Sequence, residues 1–325
     1  MAAARDGRID FLRALGLLLI MLAHVDPPEW LFELRGFDVV LMVLLNALSF
    51  RASGGARGSW GGYVARRFRR LIVPTWCFLV PVLLWLTVMG IWFPGARLSL
   101  TDYLSSFSLT AGIGYVWIIR VYFQMALISP LLLAALRRWG LRRYLAMLAL
   151  AAPVYELYCI IAPAGENLPG YLSHYVVQDT VGYGLVCALG IALPEMARRQ
   201  RLGAAAYAGA GFLLLGAARG FPPVQDAKYP PGCYYLAYGV LVSLLLWELL
   251  SLSQARPLRE GRLWGWLSRN SFWLYFWHIV PVLVFQDEMA SLEPFWARYL
   301  VVLAAAAVLT GLHNQIRRRL RPARA

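Results

Sequence analysis

The sequence predicts an all-α membrane protein: about ten transmembrane helices, with the N-terminus and C-terminus both cytoplasmic. Three observations point there. Of the 325 residues, 60% are hydrophobic and only 15% charged, at a mean hydropathy of +0.58; a soluble domain is usually about 25% charged and under half apolar. The apolar residues run in stretches of about 20, the length that crosses a bilayer as a helix. And 25 of the 31 basic residues fall in alternate intervals between those stretches, as they do in cytoplasmic loops.

Gly, Pro and charge bound each stretch in turn. The first, 9–26, lacks a small-residue cleavage site and runs too long for a signal peptide, so it is read as a retained helix. Arg5, Arg8 and Arg13 precede or open it. The second, 37–52, opens on Phe37-Asp38 and is followed by Arg51, Arg57, Arg66, Arg67, Arg69 and Arg70. The third and fourth are 71–91 and 114–136; Arg137, Arg138, Arg142 and Arg143 then lead into the fifth, 144–162. The sixth, 176–195, is trailed by Arg198, Arg199 and Arg201 before the seventh, 203–220. Arg256, Arg259, Arg262 and Arg269 separate the eighth, 231–252, from the ninth, 270–287. After the tenth, 294–313, a tail carries Arg317, Arg318, Arg319, Arg321 and Arg324. The opposite intervals hold acids instead: Asp26, Glu29, Glu33, Glu166, Asp226, Asp287, Glu288 and Glu293. Trp and Tyr gather near the ends of the stretches, as interfacial belts do. A single transmembrane domain, 1–325, accounts for the chain.

The net charge of +14 rests almost wholly on arginine. With no soluble fold to present a basic face, it reads as the positive-inside rule and not as nucleic-acid binding. Cys77, Cys159, Cys187 and Cys233 are scattered through apolar segments, as small buried hydrophobes. The histidines show no metal spacing, and no serine nucleophile motif is present.

Ionisable residues inside the apolar stretches carry the functional signal, because lipid makes them costly. Arg13 and His24 stand eleven positions apart. At about 100° and 1.5 Å per residue, they share a helix face roughly 16 Å apart, with Asp10 within about 60° of them. Arg13 can snorkel to the inner headgroups and pair with Asp10. Asp26 and Glu29 follow His24 closely enough to orient its imidazole as a base. Four arginines crowd into Arg66-Arg67-Phe68-Arg69-Arg70; they read as a lipid-headgroup cluster or as a phosphate clamp, since guanidinium grips phosphate bidentately. Arg35 and Asp38, Arg120, Lys228 and His278 fall by chain order in the outer half, interleaved with aromatics that suit sugar rings or an interfacial belt.

Together these motifs resemble the acyltransferase 3 family of integral-membrane acyltransferases, most nearly the bacterial branch that O-acetylates surface polysaccharides. The likeness rests on Arg13 and His24 preceded by Asp10, on Phe37-Asp38-Val39, and on Arg66-Arg67-Phe68-Arg69-Arg70 followed by Leu71-Ile72-Val73-Pro74. Trp117-Ile118-Ile119-Arg120 and Tyr275-Phe276-Trp277-His278 complete it. Where family members carry a Pro and a Ser-Gly on the second helix, this chain has Val40 and Asn46-Ala47, which predicts altered packing. The resemblance implies a membrane O-acetyltransferase of the bacterial inner membrane. It would use acetyl-CoA as co-substrate, hold no permanent cofactor, and acetylate a carbohydrate hydroxyl on a polysaccharide or lipid-linked oligosaccharide. His24 and Asp38 would then be catalytic. Asp10, Arg13, Arg66, Arg67, Arg69 and Arg70 would take the CoA, and Arg35, Arg120, Lys228 and His278 the acceptor. A transporter or flippase without acyl chemistry is the rival reading; few membrane carboxylates and no clear inverted halves speak against it.

Overall fold

The computed structural model describes residues 6–56, 58–92, 98–165, 167–284 and 293–320. Arg5, Arg57, Glu166, Asp287, Glu288, Arg321 and Arg324, used above in the charge pattern, lie outside the described residues. Among the described residues every regular element is helical. In chain order the α-helices are α1 (Gly7–Leu22), α2 (Glu29–Leu34), α3 (Asp38–Ala52), α4 (Trp60–Trp92), α5 (Leu100–Ser108), α6 (Trp117–Ile161), α7 (Leu168–Leu172), α8 (Asp179–Ala192), α9 (Arg198–Arg219), α10 (Cys233–Ser251), α11 (Arg256–Arg259), α12 (Arg262–Val284) and α13 (Phe295–Arg319).

Among the described residues six helical stretches are both long and apolar enough to cross a membrane: Trp60–Ile91, Trp117–Ile161, Leu168–Glu195, Arg198–Arg219, Cys233–Ser251 and Phe295–Arg319. That is fewer than the ten stretches of the sequence, for physical reasons. α1 and α3, at 16 and 15 residues, are short. α12 has 23 residues, but Arg262, Arg269, Asn270 and His278 dilute its apolar character. α6 unites two predicted stretches in 45 residues, about 68 Å at 1.5 Å per residue and over twice a bilayer core. Gly140 resolves this: its backbone, at φ 74° and ψ 158°, is non-helical and splits α6 between the Arg137-Arg138 and Arg142-Arg143 pairs. A side chain there would be strained by the positive φ. The short helices α2 and α5 were not anticipated. Ser99 caps α5, its hydroxyl accepting from the Asp102 amide while the Asp102 carboxylate accepts from the Ser99 amide. The Ser99 hydroxyl and then its amide hold the Asp102 carboxyl below its usual value.

The chain forms two compact units, residues 1–42 with 245–325 and residues 43–244. In the first, α1 packs along α12, and their contacts fix the direction. Arg13 reaches Ser268 near the start of each helix, and His24 reaches His278 further on, so the two run parallel. α13 runs the other way. Near its start Tyr299 donates to the Leu18 carbonyl at 2.9 Å and Arg298 to the Asp26 carbonyl at 3.1 Å. Near its end Asn314 donates to Asn270 at 2.8 Å. Gly16 lets α1 lie close to the start of α3: a Cβ there would sit 3.0 Å from the Met42 side chain and 3.7 Å from the Asp38 carbonyl.

In the second unit α6 packs against α8, and α4 against α6. The departure at Asn46-Ala47 finds its counterpart here. A Cβ added to Gly190 of α8 would lie 2.7 Å from the Leu44 carbonyl and 2.8 Å from the Ala47 Cβ. Small residues on both sides let the backbones touch. Gly190→Ala therefore overpacks this contact and is expected to cost about 1–3 kcal/mol, read as a lower melting temperature in detergent. Gly203→Ala on α9, with nothing within 4 Å of the new methyl, should not lower it.

Candidate active site

The first unit carries a line of polar groups along α1. Asp6 caps the helix by accepting from the Arg8 amide at 2.9 Å. One turn on, Asp10 is buried and accepts from the Ser268 hydroxyl at 2.7 Å. Arg13 donates to the same Ser268 oxygen at 3.3 Å. Asp10 and Arg13 thus meet on one serine of α12, so this arginine is held against a protein surface instead of snorkelling alone.

α1 ends at Leu22 and tightens into a 3₁₀ turn, Ala23–Val25, closed by Asp26 in the left-handed conformation at φ 47°. His24 sits in that turn. Its Nδ1 lies 2.9 Å from Nε2 of His278, the rings nearly parallel at 20° and 5.1 Å apart. His278 is completely buried, and its Nδ1 bonds the main-chain carbonyl of Tyr275 one turn back.

This chain of contacts assigns the protons. A carbonyl oxygen only accepts, so Nδ1 of neutral His278 carries the hydrogen and its Nε2 the lone pair. That lone pair requires Nδ1 of His24 to donate, which leaves the lone pair of His24 on Nε2. The sequence pointed to acids, Asp26 or Glu29, as the groups that orient His24. Its Nδ1 partner is instead a second imidazole, and Asp26 contributes its main-chain carbonyl to the buried Arg298. Both ring nitrogens of His278 are committed inside the protein.

Arg35 and Asp38 pair at 2.6 Å and are both buried. The other Asp38 oxygen accepts from the Val39 amide at 2.6 Å, and the Arg35 guanidinium stacks 4.2 Å from the Phe32 ring centre. The Asp38 carbonyl lies against Gly16, eight residues before His24 and so roughly 12 Å along the helix from it. Arg35 Nε has no hydrogen-bond partner among the described residues.

The second unit holds the remaining candidates. Arg66, Arg67, Arg69 and Arg70 lie on the first turns of α4, not in a loop before it, because helix begins already at Trp60. Arg66, Arg69 and Arg70 are exposed, while Arg67 lies over the Tyr63 ring at 5.1 Å. Arg120 is enclosed. Its Nε donates to the Leu109 carbonyl at 3.1 Å, Nη1 to the Tyr175 carbonyl at 2.8 Å, and Nη2 pairs with Asp179 at 2.8 Å. Gln124 also donates to the Tyr175 carbonyl at 2.8 Å. Tyr175 lies in a π-helical turn, Ser173–Gln178, and such turns displace main-chain carbonyls from the regular ladder; Arg120 and Gln124 bond one of them. Lys228 is buried, 5.9 Å from the Trp117 ring centre and 5.3 Å from that of Tyr229, and those rings meet edge-on at 5.0 Å. Trp117, Lys228 and Tyr229 thus form an aromatic and cationic cluster at the start of α6, with Arg120 three residues further on.

Sequence reasoning missed Ser268, Asp179 and Arg298. Ser268 precedes His278 by ten positions, nearly the spacing of Arg13 and His24, and that echo was the available signal. Asp179 is the counterion of Arg120, and removing its charge strands a guanidinium. Asp179→Asn is expected to destabilise by about 3–5 kcal/mol, as loss of one partner of a buried pair does, visible as early thermal unfolding. A variant that melts with the wild type would show that the carbonyl contacts alone satisfy Arg120.

A family model described as an acyltransferase domain matches residues 6–313. No curated protein matches the chain. No solved structure matches it.

Proposed function

The chain belongs to the acyltransferase 3 family, and on that premise we propose that it moves an acetyl group from cytoplasmic acetyl-CoA to a hydroxyl of an extracytoplasmic carbohydrate, in a bacterial inner membrane. That it is a membrane acyltransferase follows from the family and from its apolar helices; the donor, the acceptor and the sidedness are the proposal. The observation that carries it is the relay from the Tyr275 carbonyl through His278 to His24. It presents a basic nitrogen, Nε2 of His24, about 16 Å along α1 from Arg13.

In this reading Nε2 of His24 takes the proton of the acceptor hydroxyl as its oxygen attacks the thioester carbonyl. The carbon–sulfur bond breaks, and the proton returns from Nε2 to the departing CoA thiolate, giving the ester and free CoA. Alternatively Nε2 attacks the thioester carbonyl, the carbon–sulfur bond breaks to release the CoA thiolate, and the acceptor oxygen then takes the acetyl group from Nε2 while its proton passes to that thiolate. Either route needs Nδ1 of His24 held as a donor, which is what His278 does. We therefore assign His278 to positioning His24 instead of binding the acceptor. Arg13, with Asp10 and Ser268, lies where the donor's arm would pass. Arg66, Arg67, Arg69 and Arg70 are offered to the CoA phosphates, Trp117, Arg120 and Lys228 to the sugar, and Asp38 to holding Arg35 beside the middle of α1.

The test uses detergent-purified protein, labelled acetyl-CoA and an acceptor saccharide, with release of free CoA as the readout. A transporter would release none. His24→Ala should melt like the wild type and lose activity by about 10²–10⁴-fold, the usual worth of a general base; wild-type turnover in that variant would refute the assignment.

His278 can be tested separately. His278→Phe removes the acceptor for Nδ1–H of His24 and should lower kcat by about 10²-fold or more, as loss of a tautomer-fixing partner does. His278→Gln restores an accepting oxygen and should recover part of that loss. Equal activity in the two variants would show that His278 only fills space. Mass spectrometry of surface glycans from cells with and without the gene then identifies the acceptor as the glycan that lacks one acetyl mass.

A further inference from the structure

At the end of the first unit away from the histidines, the start of α1 and the first two turns of α12 enclose a cavity of about 460 Å³, within the size range of small-molecule sites. Gly7, Asp10, Gly261, Arg262, Gly265 and Arg269 line it. The glycines leave main chain open to it, and a Cβ on Gly265 would come within 3.2 Å of the Arg269 guanidinium. The acids on its wall are already engaged: Asp10 accepts from Ser268 at 2.7 Å, and Glu260 pairs with Arg256 at 2.9 Å. The cations are not. Arg262 and Arg269 are exposed, and among the described residues neither makes a hydrogen bond or ion pair. They stand seven residues apart, two turns up one helix face and so roughly 10 Å from each other. Such a spacing suits a ligand with two separated phosphate groups better than one small ion, and guanidinium is the side chain shaped for phosphate.

We infer that this cavity receives the phosphate-bearing head of the acyl donor, with Arg262 and Arg269 each taking one of its phosphate groups. The inference rests on the reading of the chain as a CoA-dependent acyltransferase. It places a phosphate site in the unit that carries His24. The back wall leads the right way. Asp10 joins Ser268 and Arg13, and from Asp10 to His24 is about 21 Å along α1, the order of length that an extended phosphopantetheine arm spans.

The experiment is calorimetric titration of coenzyme A, and separately of pantetheine, into protein held in phosphatidylcholine nanodiscs. Arg262→Gln/Arg269→Gln should weaken coenzyme A by roughly 10–100-fold, as loss of charge-assisted bonds does, with pantetheine unchanged and the melting temperature kept. The single variants should each give part of the loss, and they stand in if the double variant does not fold. Unchanged coenzyme A affinity, beside wild-type protein that still transfers acetyl, would overturn the cavity and leave the acetyl-transfer reading intact. Wild-type protein that neither binds coenzyme A nor releases it from acetyl-CoA would sink both. A phosphate in this cavity can also come from a lipid headgroup. If in phosphatidylglycerol nanodiscs the double variant loses only bound lipid and keeps its coenzyme A affinity, the site belongs to lipid and the inference falls.

Discussion

The contact between His24 and His278 sets the terms for the rest of the first unit. An imidazole in apolar surroundings keeps both nitrogens satisfied or pays several kilocalories for the lapse. Here the satisfaction has a direction. It begins at a main-chain carbonyl, which cannot donate, and passes through two rings, so each proton has one place to be. The polarity of a helix backbone is thereby transmitted to a nitrogen two side chains away. That nitrogen would otherwise exchange tautomers freely, and a base present only part of the time is a slower base. The parallel packing of α1 and α12 serves this contact, with the Asp10, Arg13 and Ser268 meeting as its second anchor. Tyr299 and Arg298 of α13 hold the far end of α1 by its main-chain carbonyls, so the turn that carries His24 is braced from two helices.

Charge is distributed on the same logic. Deep cations have internal partners: Arg35 with Asp38, and Arg120 with Asp179 and two carbonyls. A buried ion pair is weak evidence for stability, because desolvation consumes most of its attraction, but it fixes geometry. Arg35 with Asp38 joins the start of α3 to the turn before it, and Arg120 ties the π-helical turn to α6. The cations left without partners among the described residues include Arg69 and Arg70 near the start of α4 and Arg262 and Arg269 near the start of α12. Aqueous headgroups or an anionic ligand are what can compensate them, which sets these arginines apart from the structural ones.

Much of this was legible in the sequence, and the unread part has physical causes. Helical periodicity placed Arg13 and His24 on one face, and both do reach α12. The 3₁₀ turn at Ala23–Val25, where each residue advances about 120° instead of 100°, rotates His24 by some tens of degrees and leaves it on that face. The break between the fourth and fifth stretches was readable from arginines flanking a glycine. The α4 arginines precede the apolar stretch 71–91 yet lie in helix, because hydropathy marks where apolar character begins, whereas helix begins where the backbone can start its ladder, at Trp60. The partners were unreadable for a different reason. Asn46-Ala47 signals a close approach, but nothing local says it is Gly190 that approaches, and Asp179 is 59 positions from Arg120. Nor could acids be told from an imidazole as the group orienting His24: Asp26 and Glu29 are near in the chain, and His278 is near only in the fold.

The position of Arg35 and Asp38 carries the argument one step further. The buried pair lies between the levels of Arg13 and His24, with the Asp38 carbonyl against Gly16 of α1. Its side chains satisfy each other, the Val39 amide and the Phe32 ring beside the start of α3. Arg35 Nε has no hydrogen-bond partner among the described residues, and a buried guanidinium N–H left over in apolar surroundings costs about 1–3 kcal/mol. A thioester arm drawn along α1 brings amide carbonyls that can accept such a bond. On the proposed acetyl-transfer reading, the donor's arm would pass Arg13 before it meets His24. On that reading the first unit would supply the donor with polar partners that a bilayer does not.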